Sequence, residues 1–183
     1  PVRTKRISDI LLAEYGLYVQ PINFPHPLHA AGNLNMNCLY CHNTANKSPD
    51  PGMPAVQTCM GCHLVVRADR PEIQKLAQYY ANGAGKPVPW VRIHKLPEYV
   101  RFPHMRHVNV GVTCQTCHGQ VQTMDRVYQY ASLNMGWCVN CHVNGYDPAE
   151  GLRATGYAPD AERTTTPDAT LKKAPYDCAT CHY

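Results

Sequence analysis

The sequence predicts a fold of loops and short α-helices, with little or no β-structure, wrapped around bound groups rather than around a core of its own side chains. Three observations carry this. The motif Cys-x-x-Cys-His occurs five times, and the five copies consume all 10 cysteines of the 183-residue chain. Large aromatic core formers are scarce, with 2 Phe and 2 Trp, while chain breakers abound, with 16 Pro and 12 Gly. That leaves about 37 residues for each motif, too few to bury a large planar group in an apolar core of its own.

The five copies are Cys38-Leu39-Tyr40-Cys41-His42, Cys59-Met60-Gly61-Cys62-His63, Cys114-Gln115-Thr116-Cys117-His118, Cys138-Val139-Asn140-Cys141-His142 and Cys178-Ala179-Thr180-Cys181-His182. This is the spacing of covalent haem attachment. Two thiols add across the two vinyl groups of a haem as thioethers, and the adjacent histidine is placed under the iron as proximal ligand. The sequence therefore implies five covalently bound haem c groups, with His42, His63, His118, His142 and His182 as proximal ligands. Zinc sites also use paired cysteines but need no histidine directly after every pair. Structural disulfides normally join distant segments rather than five sets of near neighbours. Ligation supplies most of the cross-linking, so the chain without haem is expected to be largely unfolded.

The formal charge of +4 is that of the polypeptide alone. With ionised propionates, five haems bring the total to about −1 oxidised and about −6 reduced. A basic chain is thus no argument for a nucleic-acid partner. The Lys and Arg excess offsets propionates and the charge arriving with each electron. No stretch approaches the roughly 20 apolar residues that span a bilayer; Ile10-Leu11-Leu12-Ala13 comes nearest. The chain starts at Pro1 rather than Met, which leaves room upstream for a signal or anchor. Haem attachment of this type takes place outside the bacterial cytoplasm, so the expected location is the periplasmic side of a bacterial membrane, peripheral to it.

Attachment motifs begin at 38, 59, 114, 138 and 178. The long interval divides the chain into a two-haem module with a connecting helix, residues 1–90, and a three-haem module, residues 91–183. A repeat supports the division: Phe24-Pro25-His26-Pro27-Leu28-His29 precedes the first motif, and Phe102-Pro103-His104-Met105-Arg106-His107 precedes the third. Between the modules, residues 71–83 read as a helix, with Pro71 in its first turn, Asn82-Gly83 at its exit, and Ile73, Leu76, Ala77 and Tyr80 as its packing stripe. A second short helix is expected from Ser8 to Gly16. Residues 146–175, rich in Pro, Gly, Thr and Asp, read as a long surface loop of the kind that wraps a partner subunit.

Five histidines remain once the proximal ones are assigned: His26, His29, His94, His104 and His107. Five irons need five sixth ligands if all are low-spin electron carriers. Methionine can also serve, and generally raises the potential. Met36, Met53, Met60, Met105 and Met124 are expected to pack, and Trp90 and Trp137 to cover haem faces or edges.

The two Phe-Pro-His-x-x-His motifs resemble the opening of multihaem class III cytochromes. That resemblance implies that His26 ligates the first haem and His104 the third, with His107 reaching the fifth and His29 the second or a neighbour across the module boundary. In that family a distal histidine usually lies shortly before the middle haem's motif. Here no histidine lies between His118 and Cys138, and Met135 stands three residues ahead of Cys138. The fourth haem is therefore expected to be His142/Met135 ligated and of the highest potential. The spare ligand is then His94 or His29. For His94 the competing role is a hydrogen bond to a propionate or to backbone.

A further resemblance covers residues 24 to 142, with the motif spacing extending it to 182. It rests on Val88-Pro89-Trp90-Val91-Arg92-Ile93-His94-Lys95-Leu96-Pro97-Glu98-Tyr99-Val100-Arg101-Phe102-Pro103-His104, followed by Gly111-Val112-Thr113-Cys114 and Asn134-Met135-Gly136-Trp137-Cys138. This arrangement is similar to the pentahaem cytochrome subunit of alternative complex III, a bacterial membrane complex that oxidises quinol. The resemblance implies a wire in a respiratory or photosynthetic chain. Electrons would leave quinol in integral-membrane subunits and pass an iron–sulfur subunit and these haems. They would then reach a monohaem cytochrome subunit or a soluble cytochrome or copper protein. No catalysis is expected from this chain alone. The other readings are a stand-alone periplasmic shuttle and a multihaem oxyanion reductase; the latter needs an iron with an open position.

Overall fold

The structure is a computed structural model that describes residues 19–80, 85–146 and 174–182. The helix expected over 8–16, the Asn82-Gly83 exit of the connecting helix and nearly all of the 146–175 loop lie outside the described residues. Among the described residues eight short α-helices follow in order: α1 His26–Ala30, α2 Cys38–Cys41, α3 Val56–His63, α4 Pro71–Tyr79, α5 His104–Asn109, α6 Cys114–His118, α7 Met135–Asn144 and α8 Cys178–Cys181. A single 3₁₀ turn, Val121–Thr123, follows α6. Among the described residues there is no strand. An isolated antiparallel bridge between Val100 and His182 ties the last attachment motif to the segment ahead of α5. The molecule is helix and loop, as the composition predicts. None of its described helices is long and apolar enough to cross a membrane.

Side chains alone make only a small core. Ile22, Val56, Met60 and Leu76 are buried together, with Cys59, Tyr79, Tyr80, Val88 and Trp90 packed against them. Val56 and Met60 stand one turn apart on α3, so one face of that helix enters the core while Cys62 stays exposed. α4 begins at Pro71, whose missing N–H costs nothing in a first turn, and buries Leu76. Ile73 and Tyr80 are half-buried and Ala77 is exposed, so the apolar stripe is narrower than its spacing predicts. Glu72 on the same helix accepts the Asn23 N–H at 2.7 Å and pairs with Lys75, which fastens the approach to α1.

The two halves interlock around the repeated motif. α1 packs against the 3₁₀ turn of the second half. In return, the start of α5 rests on the loop after the first attachment motif, with His104 N–H bonded to Pro49 O at 3.1 Å and Met105 N–H to Ser48 O at 3.2 Å. Asn109 adds a side-chain bond to Asn46 O at 3.1 Å.

Candidate haem sites

Each Cys-x-x-Cys pair lies within one helical turn, which puts both sulfurs on one face. Side-chain caps fix where three of these turns start. Asn37 takes the Leu39 N–H at 2.8 Å, Asn134 takes the Trp137 N–H at 2.8 Å, and Asp177 takes the Thr180 N–H at 3.1 Å. None of the 10 cysteines is paired in a disulfide.

The histidines are oriented by their Nδ1 atoms. His42 donates through Nδ1 to Gly52 O at 3.1 Å, His63 to Val66 O at 2.9 Å, and His142 to Pro175 O at 2.6 Å. The non-motif histidines repeat the device, His29 to Pro25 O at 3.0 Å, His104 to Pro49 O and His107 to Pro103 O, both at 3.1 Å. A carbonyl only accepts, so in all six the proton sits on Nδ1 and the Nε2 lone pair is left for a metal. Burial favours the neutral form of five rings. His26 falls to about 4 through burial and the neighbouring His42 and His29, and His118 falls to about 4 through burial and His94, His104 and His42. His94, His104 and His107 are lowered as well, chiefly by burial. Neutral imidazole is the form that ligates.

The Phe-Pro-His-x-x-His repeat is a repeat of structure. Phe24 meets His26 edge-on at 4.9 Å and stacks on His29 at 4.5 Å, while Phe102 meets His104 at 4.9 Å and stacks on His107 at 4.3 Å. The prolines that precede α1 and α5 share one backbone conformation, φ −87 and ψ 107 against φ −86 and ψ 105. One feature differs. His104 Nδ1 has its carbonyl partner, whereas His26 Nδ1 is buried without one.

Three pairs of rings face one another at nearly the same separation: His29 and His63 at 6.1 Å, His104 and His118 at 6.4 Å, His107 and His142 at 6.0 Å. Two metal–nitrogen bonds of about 2 Å plus the half-widths of two imidazoles set axial ring centroids roughly 6.3 Å apart. These residues thus fit an iron ligated by two histidines. Met135, expected across from His142, does not take that place. It is the first residue of α7, the same helix that carries His142 seven residues later, and it is 66% exposed. The ring that faces His142 is His107's, which was expected at the fifth haem. His94 approaches His118 edge-on at 4.3 Å, with 3.2 Å between His118 Nδ1 and His94 Nε2, so it orients a proximal ring. Trp90 packs on the small apolar core, and Trp137 is half-buried in the first turn of α7. Met60 and Met124 are buried, whereas Met53 is exposed and lines a hollow of about 260 Å³ with Val56, Val88 and Trp90.

The attachment motifs also influence one another electrostatically. Cys38 and Cys114 hydrogen-bond to each other, which draws Cys38 down to about 6 and pushes Cys114 up. Cys59 is raised by burial and then by Cys41. Cys117 is pushed to about 11 by burial, Cys141 and Cys138. Cys138 is raised by burial and then by Cys181. These influences link the second motif to the first, the first to the third, the third to the fourth and the fourth to the fifth. Nothing in the sequence announces this order, nor Tyr99, whose ring lies 5.8 Å from that of His182.

Residues 100–183 match the family described as cytochrome c7 and related cytochrome c. Over 150 residues the chain is 27% identical to the menaquinone reductase multiheme cytochrome c subunit of Nitratidesulfovibrio vulgaris strain Hildenborough, covering 71% of this chain and 70% of that one. Stretches of 25 residues are 72% and 68% identical to the 5-aminolevulinate synthases of Rhodobacter capsulatus and Paracoccus denitrificans. Each spans 14% of this chain and 6% of the enzyme, too little to carry over a fold or an activity. The chain thus carries a cytochrome c7-like match over residues 100–183 and homology to a multihaem cytochrome c subunit.

Proposed function

We propose that this c7-like chain is the pentahaem electron relay of a quinol-oxidising membrane complex of the alternative complex III kind, built as a two-haem module over 1–90 and a three-haem module over 91–183. Haem attaches at the ten motif cysteines. His26 and His42 hold the first iron, His29 and His63 the second, His104 and His118 the third, His107 and His142 the fourth, and His182 is proximal to the fifth. The observation that carries the reading is the set of three imidazole pairs at 6.0 to 6.4 Å, since iron saturated by two histidines exchanges electrons and binds no substrate.

The bound haems supply one-electron exchange. The chain's own residues set how easily it occurs. Carbonyl bonds to Nδ1 fix the orientation of His29, His42, His63, His104, His107 and His142, and the stacked Phe24 and Phe102 restrict His29 and His107. Motifs that influence one another electrostatically mark a path from the second attachment site, through the first, third and fourth, to the fifth.

The relative's name places it with menaquinone, and this supports quinone-linked membrane partners here. That name describes electrons entering menaquinone, whereas the resemblance to alternative complex III has them leaving quinol. A relay runs either way, and potentials at its two ends set the direction. We take the outward direction, with an iron–sulfur subunit and integral-membrane subunits as donors. The acceptor is a monohaem cytochrome or a soluble cytochrome or copper protein on the periplasmic face.

The test is isolation of the chain from its native membrane. Expected are five haems per chain by pyridine haemochrome, co-purification with iron–sulfur and membrane subunits, and reduction of the haems by added quinol. A lower haem count, or a chain that isolates alone and ignores quinol, would sink the proposal.

A further inference from the structure

We infer that Asp50 and Arg92, one from each half of the chain, tune the reduction potential of the third haem in opposite senses, Asp50 lowering it and Arg92 raising it. The inference rests on the reading above, in which His104 and His118 hold the third iron of five.

Both charged groups are brought to this site by bonds of their own. Asp50 follows Pro49, whose carbonyl takes the His104 N–H and the His104 Nδ1 proton, each at 3.1 Å. Asp50 Oδ1 accepts the Gly52 N–H at 3.1 Å, and the Asp50 N–H bonds to Ser48 Oγ at 3.3 Å. The carboxylate is thus fixed in the turn on which α5 rests. Arg92 comes from the later half, where its Nε donates to His94 O at 3.2 Å. The His94 ring lies 4.3 Å from the His118 ring, which faces His104 at 6.4 Å with 14° between the planes.

The two charges act on the His104 ring with opposite signs. Burial lowers the ring below its ordinary value; the Pro49 carbonyl and the Asp50 carboxylate work against that, and the Arg92 guanidinium and His42 add to it. A neighbour that disfavours positive charge on the ligand also disfavours the ferric state of the iron behind it, which carries one more positive charge than the ferrous state. Arg92 therefore favours the reduced site and Asp50 the oxidised one. Both side chains are exposed, so each effect is a few-fold in the equilibrium and is screened by salt.

The placement bears on the relay. On the path above, an electron passing between the halves moves between the first site and the third. The potential of the third site governs that step, and it is balanced by one charge from each side of the junction.

The experiment uses the purified holoprotein with its haems counted. The third haem is identified as the low-spin paramagnetic resonance signal that His104→Leu converts to high-spin. Redox titrations of that signal then compare native protein with Asp50→Asn, Arg92→Gln, Arg92→Lys and the double variant Asp50→Asn/Arg92→Gln. Asp50→Asn keeps an oxygen for the Gly52 N–H, so it removes charge and leaves the turn. Expected is a shift of about threefold toward reduction in Asp50→Asn, about 28 mV at 59 mV per tenfold, and about as much toward oxidation in Arg92→Gln. The double variant and Arg92→Lys should both titrate close to the native protein. The two single shifts should shrink as ionic strength rises from about 0.01 M to about 1 M. Shifts of the same sign, no shift in either single variant, or equal shifts at all five haems would overturn the inference. Fewer than five haems, or a His104→Leu variant whose signals all stay low-spin, would instead refute the reading on which the inference rests.

Discussion

His94 Nε2 stands 3.2 Å from Nδ1 of His118, which gives one proximal histidine an imidazole partner where His42, His63 and His142 have a backbone carbonyl. A partner on Nδ1 increases the ring's donation to iron and favours the ferric state. Replacing His94 with Leu should therefore raise the potential of the third haem. A hydrogen bond of about 1 kcal/mol corresponds to a shift of about 40 mV for one electron. The third haem should stay low-spin, held by His104. A new high-spin haem in this variant would show that His94 is itself an iron ligand.

The fourth haem discriminates between His107 and Met135. His107→Leu should convert it to a high-spin form that takes up carbon monoxide, because the ring at 6.0 Å from His142 is gone. Met135→Leu should leave the low-spin count and the potentials unchanged. Magnetic circular dichroism in the near infrared, which separates methionine from histidine ligation, reads both variants directly. A methionine band abolished by Met135→Leu would refute the His107 assignment.

Gly52 and Gly119 stand next to two proximal ligands. Gly52, at φ +66, supplies the carbonyl for His42, and a Cβ there would meet Thr44 Oγ1 at 2.5 Å. Gly119, at φ +70, follows His118, and its Cβ would meet the Tyr130 ring at 2.7 Å. Gly32, at φ +57, has nothing within 4 Å. The left-handed backbone alone costs about 1–2 kcal/mol for any residue with a Cβ. Gly32→Ala should lose about that much in thermal unfolding of the holoprotein, and Gly52→Ala and Gly119→Ala distinctly more. Equal losses at all three would mean that the contacts with Thr44 and Tyr130 relax freely.

Phe102 stacks on His107 as Phe24 does on His29, so Phe24→Leu and Phe102→Leu should behave alike. Each should lower stability by about 0.5–1.5 kcal/mol beyond the area lost. Each should also broaden the low-spin resonance of one haem, as the ligand ring samples more orientations. An unbroadened spectrum would mean that the Nδ1 bonds to Pro25 and Pro103 fix the rings unaided.

Local chemistry was legible in the sequence. Cysteines three apart make a helical turn, and the repeat of Phe24-Pro25-His26 in Phe102-Pro103-His104 is reproduced down to its ring contacts. Long-range pairing was not. His107 meets His142 because α5 is docked on Ser48 and Pro49 of the other half, and no spacing along the chain encodes that docking. Met135 drew attention through its nearness in sequence to Cys138, yet a residue on the same helix as the proximal histidine competes poorly with one from another helix. His94 was counted as a possible ligand because composition tallies imidazoles without saying where their lone pairs point. Tyr99 stood in the Val88–His104 run without any sign that it would lie beside His182, since its place depends on the Val100–His182 bridge across 82 positions of chain.

The interlocking of the two halves has a consequence for biogenesis. The facing rings of His29 and His63 both come from residues before 81, and His42, which acts on His26, comes from there as well. Those of His104 and His118, and of His107 and His142, all come from residues after 84. The links between the halves include backbone and side-chain hydrogen bonding from Pro49, Ser48 and Asn46, and the packing of α1 on the 3₁₀ turn. On the five-haem reading, a chain delivered amino end first would hold the ring pair of its earlier half before the later residues arrive. The later half then arrives at a surface already set to receive α5, so the order of translation is also a workable order of assembly.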